Sequence, residues 1–369
     1  MRITCHKEML NEKLQLLLKT VTTRSTMPVL SGIRLDAKAT GKVEAASTNM
    51  ELSLRVVFDA SVKEEGAIVL PGRLFADVTR SLPPGEVSVI SEAEEPQVTV
   101  ASGKASFKMN SLPASDFPRL PELPEDEAFE LEAGPLTETI DIVARAASRD
   151  ETRPVLTGIL VKFGKSSIKM VATDSYRLSV KETKVKSSLA EKKEAIVPRQ
   201  SLEELSRIIA ASSEKNVRIG MADGQIVYGV GATKVASRLI EGQFPNYQQL
   251  LPEEFKHEIA LDREEILEVV SRIGIMAQKN APLKMRFTAG ELTVSAQTPQ
   301  VGEATESLPV AFEGEEIEVG FNPEFLREGL ESVPQEQIFL RIISPLRPGL
   351  LKGKEDDFFY LVMPVRLTA

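Results

Sequence analysis

Apolar residues along this chain follow two rhythms. Leu136, Ile140, Val143 and Ala147 recur at i, i+4, i+7 and i+11, which predicts one buried helix face. Leu202, Leu205, Ile208 and Ile209 predict a second helix, with Ser201 as its N-cap. Ile266, Val270 and Ile273 mark a third stripe, and Leu326, Leu330 and Val333 a fourth; residues 8–19 and 73–82 supply the corresponding pair near the N-terminus. Between them lie short β-rich runs bounded by Gly, Pro, Asp or Ser: 87–90, QVTVAS (97–102), SSIKMVAT (166–173), QIVYGVGA (225–232) and ELTVSAQ (291–297). The mixture predicts an α+β chain, with two helices against antiparallel strands in each third. The two helices of each third sit in similar strand–helix–strand contexts, which leaves an internal two-fold open.

The thirds repeat. VTTRSTMPVLSGIRLDA (21–37) matches ASRDETRPVLTGILVKF (147–163), and GIMAQKNAPLKMRFTAG (274–290) is a fainter copy; Pro28, Pro154 and Pro282 fall 126 and 128 residues apart. A second set agrees: 69–89, 196–219 and 319–342 each read as strand, turn, amphipathic helix, polar turn, strand. Phe117-Pro118 and Phe244-Pro245 close the first two copies, and FYLVMPVRLTA closes the third. A period this long predicts three homologous domains, since solenoid units are far shorter. Linker-like LPELPEDEAFE (120–130) and LPEEFKHEIA (251–260) place the boundaries at 1–125, 126–253 and 254–369.

Composition narrows the class. The chain has 369 residues, 42% hydrophobic and 27% charged, as an ordinary globular protein has. No run approaches the ~20 apolar residues that cross a bilayer, and MRITCHKEML lacks the apolar core of a secretory signal. The lone Cys5 forms no internal disulfide, which fits a reducing cytoplasm. Net charge is −9, and the excess acid lies in the last third, with 20 acidic against 12 basic residues. That balance opposes a protein that holds DNA by neutralising phosphates.

Candidate chemistry is sparse. Two histidines, His6 and His257, and one cysteine cannot supply a zinc site, and both histidines read as structural. GVGATK (229–234) lacks phosphate-loop spacing and precedes a strand-like run. There is no G-x-S-x-G for a nucleophile elbow. The densest polar cluster is VATDSYRLSV (171–180). Ser175 has no neighbouring His to act as its base, so the stretch reads as a turn between strands, Asp174 bonding its own backbone, and as the rim of a binding surface. An enzyme using Asp174, Tyr176 and Arg177 on a small molecule is the competing reading; a scaffold with no DNA role is a third. The end, FFYLVMPVRLTA, predicts a core strand over 358–362 and an exposed edge from Met363 to Arg366 suited to apolar peptides, with Pro364 confining that point to a sheet edge.

VATDSYRLSV, FPNYQQLLP, SLPASDFP, IVPR and YLVMPVRL together resemble the bacterial DNA polymerase III beta subunits, the DNA sliding clamps, over nearly the whole chain. The resemblance implies a DNA clamp fold: a homodimeric six-domain ring with helices lining the hole, threaded by double-stranded DNA and holding it by topology. It implies no catalytic residue, cofactor, metal or membrane. It implies a pocket for apolar motifs of the polymerase III alpha subunit, the clamp loader, other polymerases and repair proteins. Matching positions are Leu156, Thr173, Ser175, Tyr176, Arg177, Leu178, Pro245, Leu250, Phe325, Met363, Pro364, Val365 and Arg366, with Leu178, Leu250, Met363 and Pro364 as apolar walls and Arg177 and Arg366 as polar anchors. Tyr176 stands where His is common, Gln249 where Arg can occur, and Asp150 where a Gln contact to DNA can occur. Arg24, Arg73 and Arg153 are expected near DNA. Lys104, Phe107 and Lys108 are expected on one side of the dimer contact, and Ile275, Met276, Glu303 and Glu306 on the other.

Overall fold

A computed structural model describes every residue except 24, 93–95, 190, 253, 278–280, 356 and 368–369. The chain is built from one unit used six times: strand, helix, then three strands. Arg2–His6, helix Lys7–Leu17, Gly32–Ala37, Lys42–Thr48 and Leu52–Asp59 form the first. Gly66–Pro71, helix Gly72–Ser81, Glu86–Ser91, Gln97–Ser102 and Ala105–Asn110 form the second. The same order recurs twice from Phe129–Glu132 to Thr233–Arg238, and twice more from His257–Asp262 to Phe358–Val362. The two-fold inside each third is therefore real.

Two compact units divide the residues, and the division runs through the middle third. The first comprises 1–133 and 207–239. It holds a five-stranded sheet ending at Ala105–Asn110 and a nine-stranded sheet. At the middle of the larger sheet, Leu52–Asp59 pairs antiparallel with Thr233–Arg238, Leu54 opposite Val235. The second unit comprises 134–206 and 240–369, with an eight-stranded sheet and a five-stranded sheet ending at Gly302–Pro309. In its larger sheet Arg177–Lys184 pairs with Phe358–Val362, Ser179 opposite Tyr360.

Local sequence explains these elements. Leu10, Leu14 and Leu17 bury one stripe of the first helix. Helix Arg263–Gly274 is capped by Asp262, which accepts from the Glu265 N–H at 2.9 Å, and helix Pro323–Ser332 by Asn322, which accepts from the Glu324 N–H at 2.9 Å. Ser201 is not a cap. Helix Arg199–Ala210 follows strand Lys193–Pro198 without a linker, so it starts two residues earlier and Ser201 is buried inside its first turn. Likewise helix Ala133–Val143 stops at Val143, and Ala147 lies beyond a following 3-10 turn, still buried. Gly32 and Gly158 close the Pro-Val-Leu motif because a Cβ there would run into Val69 and Ile196 on the adjacent strand. GVGATK is a hairpin turn with Gly231 at φ 56°.

One backbone detail ties the thirds together. Met50, Ser175 and Gln300 all adopt the left-handed region, at φ 75°, 82° and 67°, each two residues after a threonine that ends a strand.

Candidate functional site

The turn Thr173–Leu178 is held by its own side chains. Asp174 Oδ1 accepts from the N–H groups of Tyr176 at 2.8 Å and Arg177 at 2.9 Å. The Thr173 hydroxyl accepts from the Ser175 N–H at 3.1 Å and donates to the Arg177 carbonyl at 2.6 Å. These bonds fix Ser175 in its left-handed conformation and aim Tyr176 outward, 61% exposed. Asn49 does the same work in the first third, accepting from the N–H groups of Glu51 and Leu52.

Arg177 lies beneath this turn, 8% exposed. Its Nε donates to Asp174 Oδ2 at 3.0 Å, its Nη1 donates to Glu328, and its guanidinium sits 4.4 Å from the Phe325 ring centroid. Phe325 in turn stacks on Tyr176, ring centroids 6.5 Å apart. The polar residues that looked like a reactive cluster are therefore committed: Asp174 uses one oxygen on the backbone and the other on Arg177, and Arg177 answers two carboxylates. These bonds make the cluster a structural brace of the turn, and an enzyme built on Asp174, Tyr176 and Arg177 finds no support.

The strand end after Val362 completes the surface. Met363 N–H donates to the Tyr176 carbonyl at 2.8 Å, and its side chain stays exposed beside the turn. Pro364–Val365, half-buried, add a short edge strand with Pro364 opposite Phe321, and Arg366 is exposed. Leu250 is exposed, as is Pro245 next to buried Phe244. Under them Leu178, Leu361, Phe244 and Tyr247 form one apolar cluster that Val155 joins, with Leu156 also buried nearby in sequence. Leu178 and Thr173 are thus floor, and Tyr176, Leu250 and Met363 are the side chains open to a partner.

Arg153 reaches the same turn, donating from Nη1 to the Ser175 hydroxyl at 3.1 Å and from Nε to Asp150 at 3.0 Å. The Thr152 hydroxyl and N–H, with Arg153, hold the Asp150 carboxyl below its ordinary range. Arg73 is exposed on helix Gly72–Ser81, and Arg24 lies outside the described residues. Glu328 was missed: it meets Arg177 across 151 residues of sequence, and no local pattern marks it, since it lies off the Leu326, Leu330, Val333 stripe.

The residues expected at a dimer contact lie on two strand edges. Lys104, Phe107 and Lys108 flank or occupy Ala105–Asn110, with Phe107 39% exposed. Glu303 and Glu306 occupy Gly302–Pro309. Ile275, 71% exposed, and Met276 follow helix Arg263–Gly274. Arg272 on that helix clasps Glu306 through two bonds, 2.7 and 3.1 Å, and this holds the Glu306 carboxyl below its usual range. Among the described residues no group of three His, Cys, Asp or Glu side chains could hold a metal, and no helix is long and apolar enough to cross a membrane.

Family models for the N-terminal, central and C-terminal domains of the DNA polymerase III beta subunit match residues 1–121, 130–246 and 248–366. The chain is 32% identical to the beta sliding clamp of Synechococcus elongatus and 30% identical to that of Streptomyces coelicolor, each over the full length of both chains. Its fold superposes on the DNA polymerase sliding clamp of Bacillus subtilis with TM-score 0.94 at 27% identity, all of both chains covered. A clamp structure from Pseudomonas aeruginosa gives 0.91 at 28% identity, again over all of both chains. With three domain models in order along one chain of the α+β clamp fold, this protein belongs to the DNA polymerase III beta subunits, the beta sliding clamps.

Proposed function

We propose that two copies of this chain close head to tail into a ring around duplex DNA, and that the surface beside Tyr176 holds short apolar motifs of the polymerase and other proteins. Membership of the family makes the chain a DNA sliding clamp, a processivity subunit and not an enzyme. The finer reading is ours: three clamp domains over 1–125, 126–253 and 254–369, making up one half of the ring, working in the cytoplasm.

One observation carries the ring. The nine- and eight-stranded sheets arise because the last strand of one third pairs with a hairpin of the preceding third: Thr233–Arg238 with Leu52–Asp59, and Phe358–Val362 with Arg177–Lys184. The corresponding strands Ala105–Asn110 and Gly302–Pro309 end their own sheets with no such neighbour among the described residues. Applying the same pairing to these two edges joins the first third of one copy to the last third of another. An unlike-edge contact of this kind closes a ring when its rotation allows. The register carries over too. Val235 faces Leu54 and Tyr360 faces Ser179, so Phe107 should face Glu303 and Ser106 should face Ala304. The shift puts Lys104 opposite Glu306, basic against acidic, with Phe107, Ile275 and Met276 as the apolar centre.

A threaded ring needs little phosphate affinity, which reconciles the net charge of −9 with a DNA partner. Arg24, Arg73 and Arg153 are the residues we place toward DNA. The motif surface concentrates its apolar area in Tyr176, Leu250 and Met363, above a rigid floor, as peptide sites that rely on a few anchors do. The polymerase III alpha subunit, the clamp loader and other polymerases and repair proteins are the partners proposed for it. The register is testable directly. Ser106→Cys combined with Ala304→Cys should form a covalent dimer and closed ring on mild oxidation, while Ser106→Cys with Ser307→Cys should not. Equal crosslinking of both pairs, or of neither, contradicts the pairing.

A further inference from the structure

The repeat that builds the surface beside Tyr176 builds a cavity from the corresponding elements of the first unit. Thr48 and Asn49 hold the turn to Ser53 as Thr173 and Asp174 hold the turn to Leu178. The Arg238 N–H donates to the Glu51 carbonyl at 2.9 Å, matching the bond from Met363 to Tyr176. Pro118 follows buried Phe117 as Pro245 follows buried Phe244. Between the turn, the end of the strand at Arg238 and the segment 118–121 lies a cavity of about 110 Å³. That is well below the roughly 300–1,000 Å³ of small-molecule sites and suits a single side chain.

The geometry repeats but the chemistry does not. Tyr176 and Met363 are replaced by Glu51 and Arg238, and Asn246 by Arg119. Arg119 and Arg238 are exposed and neither makes an ion pair among the described residues. Met50, 42% exposed, and Pro118 add an apolar wall. Two guanidinium groups on one small cavity suit a carboxylate, which each can bind through two parallel N–H donors. Glu51 on the same lining disfavours a run of phosphates.

We infer that this cavity is a second linear-motif site, taking an extended peptide segment with one acidic side chain directed at Arg119 and Arg238 and an apolar neighbour against Met50 and Pro118. The inference rests on the reading of the Tyr176 surface as a peptide site, because the shared architecture is what makes the occupant a peptide. The two sites would let one chain hold an apolar motif and an acidic motif at once, from one partner or from two.

The test is fluorescence anisotropy on the full-length protein with two labelled sets of decapeptides: one with single Asp or Glu residues among Leu and Pro, the other neutral and Leu/Phe-rich. Binding of the acidic set should weaken at least tenfold in Arg119→Glu/Arg238→Glu and in the milder Arg119→Ala/Arg238→Ala. It should be unchanged in Leu250→Ala/Met363→Ala and weaken with added salt. Acidic peptides that bind the arginine variants as well as the parent, that are displaced by the neutral set, or that fail to saturate up to millimolar concentration overturn the inference, as does tighter binding of a single-stranded oligonucleotide than of any acidic peptide in the same arginine-dependent manner. The neutral set reports separately on the Tyr176 surface: its insensitivity to Leu250→Ala/Met363→Ala would remove that reading, while loss of only the acidic binding would leave it standing.

Discussion

The Arg177 guanidinium carbon lies 4.4 Å from the centroid of the Phe325 ring, and the same guanidinium is flanked by Asp174 and Glu328. Both carboxylates are 13% exposed, so Arg177 is their counter-charge as well as the support of the ring on which Tyr176 stacks. Removing one partner of a buried charge set leaves the others uncompensated. Arg177→Ala should therefore destabilise the protein by about 3 kcal/mol and weaken neutral-peptide binding through Tyr176. Denaturant unfolding checks the first effect; a loss under 1 kcal/mol would mean the charges are not effectively buried.

Leu250 and Met363 behave in the opposite way. Each is about half exposed, so truncation removes little from the core. Leu250→Ala/Met363→Ala should leave stability within about 0.5 kcal/mol yet raise the Kd of a neutral apolar peptide tenfold or more. Calorimetric titration beside a melting curve separates the two, and an unchanged Kd would locate the anchors elsewhere.

Phe107 on one edge and Ile275 beside the other carry the apolar centre of the proposed dimer contact. Phe107→Asp or Ile275→Asp places a charge in a patch that association would dry, and either should shift the protein from dimer to monomer in sedimentation velocity at micromolar concentration. Folding should be preserved, since both side chains are exposed in the single chain. A variant that stays dimeric contradicts the edge pairing.

Within the first unit, Arg55 stands directly opposite Lys234 on the paired strands, and Glu122 bridges them. Burial alone would raise the Glu122 carboxyl; hydrogen bonds from Arg55 and Lys234, reinforced by their charges, outweigh it and hold it low. A folded-state pKa below the unfolded value means the carboxylate stabilises fully above the ordinary range near 4.5 and stops doing so as pH falls through the lower folded value. Glu122 is largely exposed, so solvent screening limits the effect to about 0.5 kcal/mol. Glu122→Gln should lower the melting temperature by about a degree at pH 7, with the gap to the parent closing toward pH 3. A gap that persists at pH 3 would assign the effect to packing.

Cys5 is 6% exposed, and burial pushes its thiol up to about 11. At pH 8 the folded protein should react with iodoacetamide far more slowly than the same chain in denaturant, because both the thiolate and access to it are scarce. Equal rates would show that the first strand opens readily.

Much of the architecture was legible because it repeats. The paired amphipathic stripes each fold as a helix, and the first two Pro-Val-Leu motifs each make one helical turn before a strand, 3-10 at Pro28–Ser31 and α at Pro154–Thr157. Helix starts were less legible: Ser201 carries a capping residue's chemistry, but a strand running straight into the helix moved the start to Arg199. The turn at 171–180 was legible in kind, since Asp174 two and three residues before backbone N–H groups is a self-bonding pattern. Its deeper role was not, because Glu328 is distant in sequence and only folding brings it onto Arg177. The cavity at Arg119 and Arg238 was likewise hidden, since the stretches that line it are distant in sequence and meet only on folding, with Leu52–Asp59 paired to Thr233–Arg238.

Threading is the claim on which the functional account depends, and it has a direct measurement. Labelled protein is assembled by a clamp loader onto nicked circular duplex DNA, freed of unbound protein by gel filtration, and followed after a restriction enzyme cuts the circle. The account predicts co-elution with the circle that survives raised salt and collapses within minutes of linearisation. Protein that stays equally on the cut and uncut DNA, or leaves both as salt rises, is bound by contact alone and contradicts the ring.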